Sequence, residues 1–231
     1  MPIYLTEKGA LLFAHVPKCG GSSVEDILLQ RFGERNSAFL DRRFLGRGQP
    51  WTRTSPQHAT AKAIHALFPK SFFRITLATV RHPAIRLRSA FLQLRDVHGF
   101  IPKGMAFGDW LAELPGLRRY APDTWDHHVL QMSDFVPEGA VAFPIEHGVE
   151  PLIAWLDVQL ENVDGPRSAI KAHSMSERLQ DAGREPGPPI HLGDAELDTI
   201  WAMDRMDYER FGYGRKPSAV PPPPSVTDAR L

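Results

Sequence analysis

The chain has 231 residues, 42% of them apolar, and carries 27 basic and 27 acidic side chains. That length supports one buried core and is short for two, and the zero formal net charge excludes the global basic field of a nucleic-acid binder. Cys19 is the single cysteine, which excludes an intrachain disulfide and a cysteine-built metal site. There is no apolar h-region and no run of about twenty apolar residues, so the expectation is a cytoplasmic protein with no membrane partner.

The first apolar run, Leu11-Leu12-Phe13-Ala14, reads as a short buried strand. After His15-Val16-Pro17-Lys18-Cys19-Gly20-Gly21-Ser22-Ser23, apolar Val24, Ile27, Leu28 and Phe32 recur at helical spacing. The glycines let the backbone turn sharply. The amides of Gly20 to Ser23 then open a helix N-terminus, which favours an anion. Lys18 adds a full positive charge, and Ser22 and Ser23 add hydroxyl donors. Cys19 reads as a small residue that fits the loop.

Residues 33–57 are broken by Gly and Pro and carry Arg35, Arg42, Arg43, Arg47 and Arg53, interleaved with Phe39, Phe44 and Trp51. They read as a solvated loop or as a rim that attracts an anionic acceptor. A helix follows over His58–Phe68, then a buried central strand from Phe72 to Val80. Arg81-His82-Pro83 opens the next helix, with Pro83 in its first turn and Arg86 and Arg88 as solvated charges. A short helix over Phe107–Leu114 ends at Pro115-Gly116. A further helix is expected over Trp125–Phe135, a third strand over Ala140–Phe143, and a helix from Pro151. Residues 162–193 read as loops. The last helix is capped by Asp194 and stopped by Gly212. From Lys216 the chain, with Pro221 to Pro224, reads as a solvated polyproline tail. The expected organisation is one domain over 1–214 and a disordered tail over 215–231.

Alternating strands and helices predict a three-layer α/β fold, a mostly parallel sheet with helices on both faces. Ligands in such sheets sit at the carboxyl ends of the strands, and both ends named above carry a cation, Lys18 and Arg81. Lys18-Cys19-Gly20-Gly21-Ser22-Ser23 is not a Walker A loop, because the lysine precedes the glycines. ATP-dependent phosphoryl transfer is therefore disfavoured. In the second element, Arg81 and Ser89 offer a guanidinium fork and a hydroxyl suited to a terminal phosphate.

These two stretches resemble those of sulfotransferases that use 3′-phosphoadenosine 5′-phosphosulfate (PAPS). His15–Ser23 looks like the family's 5′-phosphosulfate loop, with Cys19 where a threonine is usual. Arg81, Pro83, Arg86 and Ser89 fall in register with its 3′-phosphate motif. The branch resembled is that of the heparan- and chondroitin-type carbohydrate sulfotransferases and their bacterial relatives. Weaker similarity lies at Gln57–Ala61, at Glu146 and over Asp207–Tyr213, so that residues 10–214 are spanned.

The resemblance implies a P-loop-NTPase-like sulfotransferase fold and a sulfuryl transfer from PAPS to the hydroxyl of a carbohydrate or small metabolite. It implies that Lys18, Cys19, Gly20, Gly21, Ser22 and Ser23 hold the 5′ end, with Lys18 at the bridging oxygen and the sulfuryl group. Arg81 and Ser89 then clamp the 3′-phosphate. His58 falls where the branch places its base, with His128 as the rival, and no metal is required. The branch often has an arginine shortly before the glutamate after the third strand; Pro144-Ile145 stands there, which weakens the transfer of a role to Glu146. The competing reading is a nucleotide-binding protein without sulfotransfer, either a divergent kinase-like enzyme or a binder of the 3′,5′-bisphosphate. Acceptor identity and oligomeric state are not legible.

Overall fold

A computed structural model describes residues 1–40, 53–162, 164–168 and 174–227. Its centre is strand β2, Gly9–Ala14, which turns back in a hairpin from β1, Ile3–Thr6. A two-residue strand β3, Ser37–Ala38, extends the sheet beyond β1. On the other side of β2 lie β4, Phe73–Val80, and β5, Val141–Pro144. The strand order is β3-β1-β2-β4-β5. The β2–β4 and β4–β5 pairings are parallel, and those of β1 with β2 and β3 are antiparallel. The sheet is therefore mixed, not mostly parallel. The sequence reading omits β1 and β3, each too short to show a period.

Side chains alternate along the strands and so divide between two faces. Leu11, Phe13, Ile75, Leu77 and Phe143 pack with Val24, Ile27 and Leu28 of α1 (Gly21–Phe32) and with Leu152, Ile153 and Leu156 of α5 (Glu150–Leu160). Ala14, Ala78 and Val80 face the other way, onto α3 (Pro83–Leu92), α4 (Phe107–Tyr120), α7 (Asp194–Met203) and α8 (Arg205–Phe211). Ile64 of α2 (Ala61–Leu67), whose N-terminus is capped by Thr60 Oγ1, covers Leu12. Helices thus cover both faces of an open sheet. Among the described residues no helix is long and apolar enough to cross a membrane.

Several boundaries differ from expectation. α4 runs through Pro115-Gly116 to Tyr120, because buried Trp110, Leu111 and Leu114 hold it to the core and outweigh the lost backbone bond. The stretch Trp125–Phe135 is not a helix. Trp125, Asp126 and His127 are left-handed, with φ of 50°, 55° and 64°, and a 3₁₀ turn follows at Met132–Asp134. The His127 and His128 rings bond backbone carbonyls there, His58 O at 2.8 Å and Trp125 O at 2.7 Å, in competition with helical bonding.

Asp204 splits the last helix into α7 and α8. Its buried carboxylate takes Arg118 at 2.5 Å. The cap of α7 is Gly193 rather than Asp194. Residues 162–193 include α6, Met175–Asp181, closed by a Ser174–Glu177 capping box. Arg86 is fully buried, donates to Leu130 O at 2.6 Å and lies in the field of Asp207; it is not a solvated charge.

The segment after Lys216 is set against the body as far as Thr227. His147 Nε2 bonds Pro221 O at 2.8 Å, and Val220 packs on the core. That differs from a solvated tail, because short apolar contacts and carbonyls serve it as anchors. Of the arginine-rich stretch, Arg42, Arg43 and Arg47, with Phe44 and Trp51, lie outside the described residues.

Candidate functional site

β2 and β4 are neighbours and parallel, with Ala14 opposite Ala78. Their carboxyl ends therefore release two loops side by side, His15–Gly20 and Arg81-His82. Between them opens a cavity of about 930 Å³, lined among others by Lys18, Gly20 to Ser23, His58, Arg81, Ser89, Asp126 and His128. Residues far apart in sequence thus reach one space, as the motif reading requires. Cys19 is the exception. It is fully buried, its Sγ lies 3.8 Å from Met132 Sδ, and burial pushes the thiol up to about 12. Its side chain belongs to the core and does not line the cavity.

The loop geometry depends on its glycines. Gly20 has φ +76°, and a Cβ there would lie 2.7 Å from Ile145 Cγ1. At Gly21 a Cβ would lie 2.2 Å from His15 Nε2. The His15 ring is pinned on its other side, with Nδ1 bonded to buried Glu25 and its ring edge-on to His58 at 4.9 Å. No side chain caps the N-terminus of α1, which leaves its dipole end to the cavity. The Ser23 amide is taken by Gly20 O at 3.1 Å, so the free amides end at Ser22.

Three cations border this space without a counter-charge. Among the described residues no carboxylate pairs with Lys18, Arg81 or Arg178. Some buried or half-buried arginines elsewhere do pair, Arg31 with Asp157 and Arg118 with Asp204, although Arg86 bonds the Leu130 carbonyl instead. Burial, then Arg178 and Arg81, bring the Lys18 ammonium down to about 7. Like charges gathered in a cavity favour an anion. The Lys18 residue itself is left-handed, φ 68°, and its carbonyl accepts Arg81 Nη1 at 3.5 Å.

The same cavity is lined by a histidine pair, His58 and His128. Asp126 Oδ2 takes the His58 Nδ1 proton at 2.6 Å and the Ser55 hydroxyl at 2.7 Å, and Asp126 Oδ1 takes the Ser55 amide at 2.5 Å. A carboxylate only accepts, so the His58 proton sits on Nδ1, and Nε2 is an acceptor with the Gln57 Nε2 amide 3.5 Å away. Burial lowers His58 to about 4 although Asp126 opposes this. Burial alone would raise the Asp126 carboxyl, but the bonds from His58 and Ser55 hold it well below the usual range. His128 lies edge-on to His58 at 5.3 Å and is likewise held well below the usual histidine range, by burial and then by His58. Its Nδ1 proton goes to Trp125 O, so its Nε2 is also an acceptor. His58, Asp126 and His128 offer ligand atoms within 4.8 Å of one another, a set that a borderline metal ion could also use.

Sequence reasoning reaches Lys18, Gly20, Gly21, Ser22, Ser23, Arg81, Ser89, His58 and His128. It misses Asp126 as a partner of His58; only its place beside His127-His128 marked it. It also misses Gln93, whose position one helical turn after Ser89 was the available signal, and Arg178, which no motif marks. His15 and His82 support the loops, His15 through Glu25 and His82 through the Gly214 carbonyl at 3.0 Å. The His82 amide donates to Glu146 Oε1 at 2.7 Å, and Tyr213 Oη donates to Glu146 Oε2 at 3.0 Å. Glu146 thus braces the Arg81 turn from outside the cavity lining. Comparison with family models, with curated proteins and with solved structures returns no match.

Proposed function

We propose that this chain is a PAPS-dependent sulfotransferase with a P-loop-like sulfotransferase fold, acting in the cytoplasm on an acceptor hydroxyl. The observation that carries the reading is the convergence on one cavity of the Lys18 loop, the Arg81–Ser89 pair and a His58–Asp126 dyad. The free amides of the loop and the hydroxyls of Ser22 and Ser23 would hold the 5′-phosphate. Arg81 and Ser89 would hold the 3′-phosphate, which ATP lacks.

His58 Nε2 then takes the acceptor's proton while the acceptor oxygen bonds to sulfur and the sulfur–oxygen bond to the phosphate breaks. Asp126 stabilises the imidazolium that forms, and Lys18 meets the charge that builds on the leaving oxygen. The proton rests on His58, and 3′,5′-bisphosphoadenosine leaves. A simple binder of that bisphosphate has no use for the dyad.

Thermal shift tests this directly. 3′,5′-Bisphosphoadenosine should raise the melting temperature and ATP should raise it little or not at all. Equal or absent shifts would refute the reading. Where the bisphosphate binds, labelled PAPS offered with a panel of acceptors distinguishes transferase from binder.

A further inference from the structure

Gln93 stands one turn beyond Ser89 on the same face of α3, in the π-helical turn Gln93–His98 that continues that helix. π-Turns of this kind concentrate at functional sites. The side chain is 6% exposed, yet it borders the cavity. Its Oε1 accepts from Lys18 Nζ and, at 3.0 Å, from Arg178 Nη1. Its Nε2 lies 3.1 Å from His98 Nε2. One neutral carbonyl oxygen therefore holds two cations side by side, with both lone pairs in use. A glutamate in that place would neutralise one of them. An amide neutralises neither, and leaves the negative charge to be supplied by a partner, whose arrival also favours the protonated form of Lys18.

We propose that Arg178 and Gln93 extend the anion site beyond the two sequence motifs, Gln93 as the positioning residue that holds Lys18 and Arg178 together and Arg178 as a third cation for the ligand's terminal oxygens. The ligand class is a polyanion of the phosphate or phosphosulfate type. The inference rests on the sulfotransferase reading only in taking those oxygens to belong to the sulfuryl-bearing end of PAPS. α6 then has a role: it carries Arg178 and Met175 to the cavity wall. The guanidinium fork suits two oxygens of one group.

The test is calorimetric titration of the full chain with inorganic pyrophosphate, 3′,5′-bisphosphoadenosine and PAPS. Wild type, Arg178→Ala, Arg178→Lys and Gln93→Glu are compared, with each variant's melting curve as a fold check. Removal of one charge-assisted contact should weaken PAPS roughly tenfold to hundredfold in Arg178→Ala. The bisphosphate, which lacks the sulfuryl oxygens, should weaken less. Arg178→Lys keeps the charge but loses the fork, and should fall between; it serves if the alanine variant fails to fold.

Gln93→Glu should bind both phosphate ligands more weakly at neutral pH and should move the alkaline loss of pyrophosphate binding upward, a shift that damage to packing would not give. If wild type binds the bisphosphate but Arg178→Ala and Gln93→Glu bind PAPS as wild type does, the proposal falls and the sulfotransferase reading stands. If wild type binds pyrophosphate in an Arg178-dependent way but not the bisphosphate, that reading falls and the anion site stands. If wild type binds none of the three, both fall.

Discussion

Among the described residues Lys18 has two cations for company and no carboxylate partner, and this sets how the cavity should respond to pH. In the free protein its ammonium loses its proton near pH 7. A bound anion favours the charged form and raises that value, so binding takes up a proton above pH 7. Affinity for 3′,5′-bisphosphoadenosine should therefore fall as pH rises from 7, by up to about tenfold per unit. Lys18→Arg should flatten the curve, and titration calorimetry at pH 6, 7, 8 and 9 reads it. A curve in wild type as flat as in the variant would contradict the assignment. At this scale the sequence discloses residues whose role travels with a local motif: Lys18, the glycines, Arg81 and Ser89. It hides Asp126, Gln93 and Arg178, because each acts only through a neighbour brought from elsewhere in the chain. At Cys19 the side chain turns into the core, as a small residue that fits the loop does.

Two connecting elements carry the strain of the site. The turn Trp125-Asp126-His127 holds three successive non-glycine residues in the left-handed region, each costing about 1–2 kcal/mol. It is held by the bonds of Asp126 to Ser55 and His58 and of His127 to His58 O. The other element is the entry to α1, where Lys18 is left-handed and a Cβ at Gly21 would meet the His15 ring. Gly21→Ala should destabilise the fold by roughly 1–3 kcal/mol, because the His15 ring cannot retreat from Glu25 and His58. Urea denaturation of the variant measures this, and an unchanged midpoint would show that the ring has room. The helices and strands on the motifs were legible because apolar spacing runs through them. The 125–135 turn was not, since its shape comes from side chains that capture carbonyls. Pro115 and Gly116 looked like a stop and are not one, since core contacts on the inner face of α4 outweigh them.

For the molecule as a whole, zero net charge coexists with three cations that, among the described residues, have no carboxylate partner. Burial lowers His58, His82, His98 and His128 alike. For His58 the unfolded chain binds a proton near pH 6.5, the folded chain only near 4. Between those values the unfolded state holds more protons. The stability tied to a neutral His58 is thus whole above pH 6.5 and is lost as pH falls toward 4. It amounts to about 3 kcal/mol at most, at 1.36 kcal/mol per unit. Denaturation midpoints of wild type should fall over that window, and His58→Gln should fall less steeply. Parallel slopes would show that His58 is not held neutral.

The pairing of β2 with β4 has a further consequence, in time. β1 and β2 form a local hairpin, but β4 reaches β2 only after a long connection through α1, β3 and α2. Non-local parallel pairing closes slowly, because the chain loses loop entropy before any contact offsets it. Lys18 and Arg81 stand at the far ends of those two strands. During refolding the hairpin should therefore be an early structure and the cavity a late one, so a chain caught midway has its glycine loop but no place for an anion.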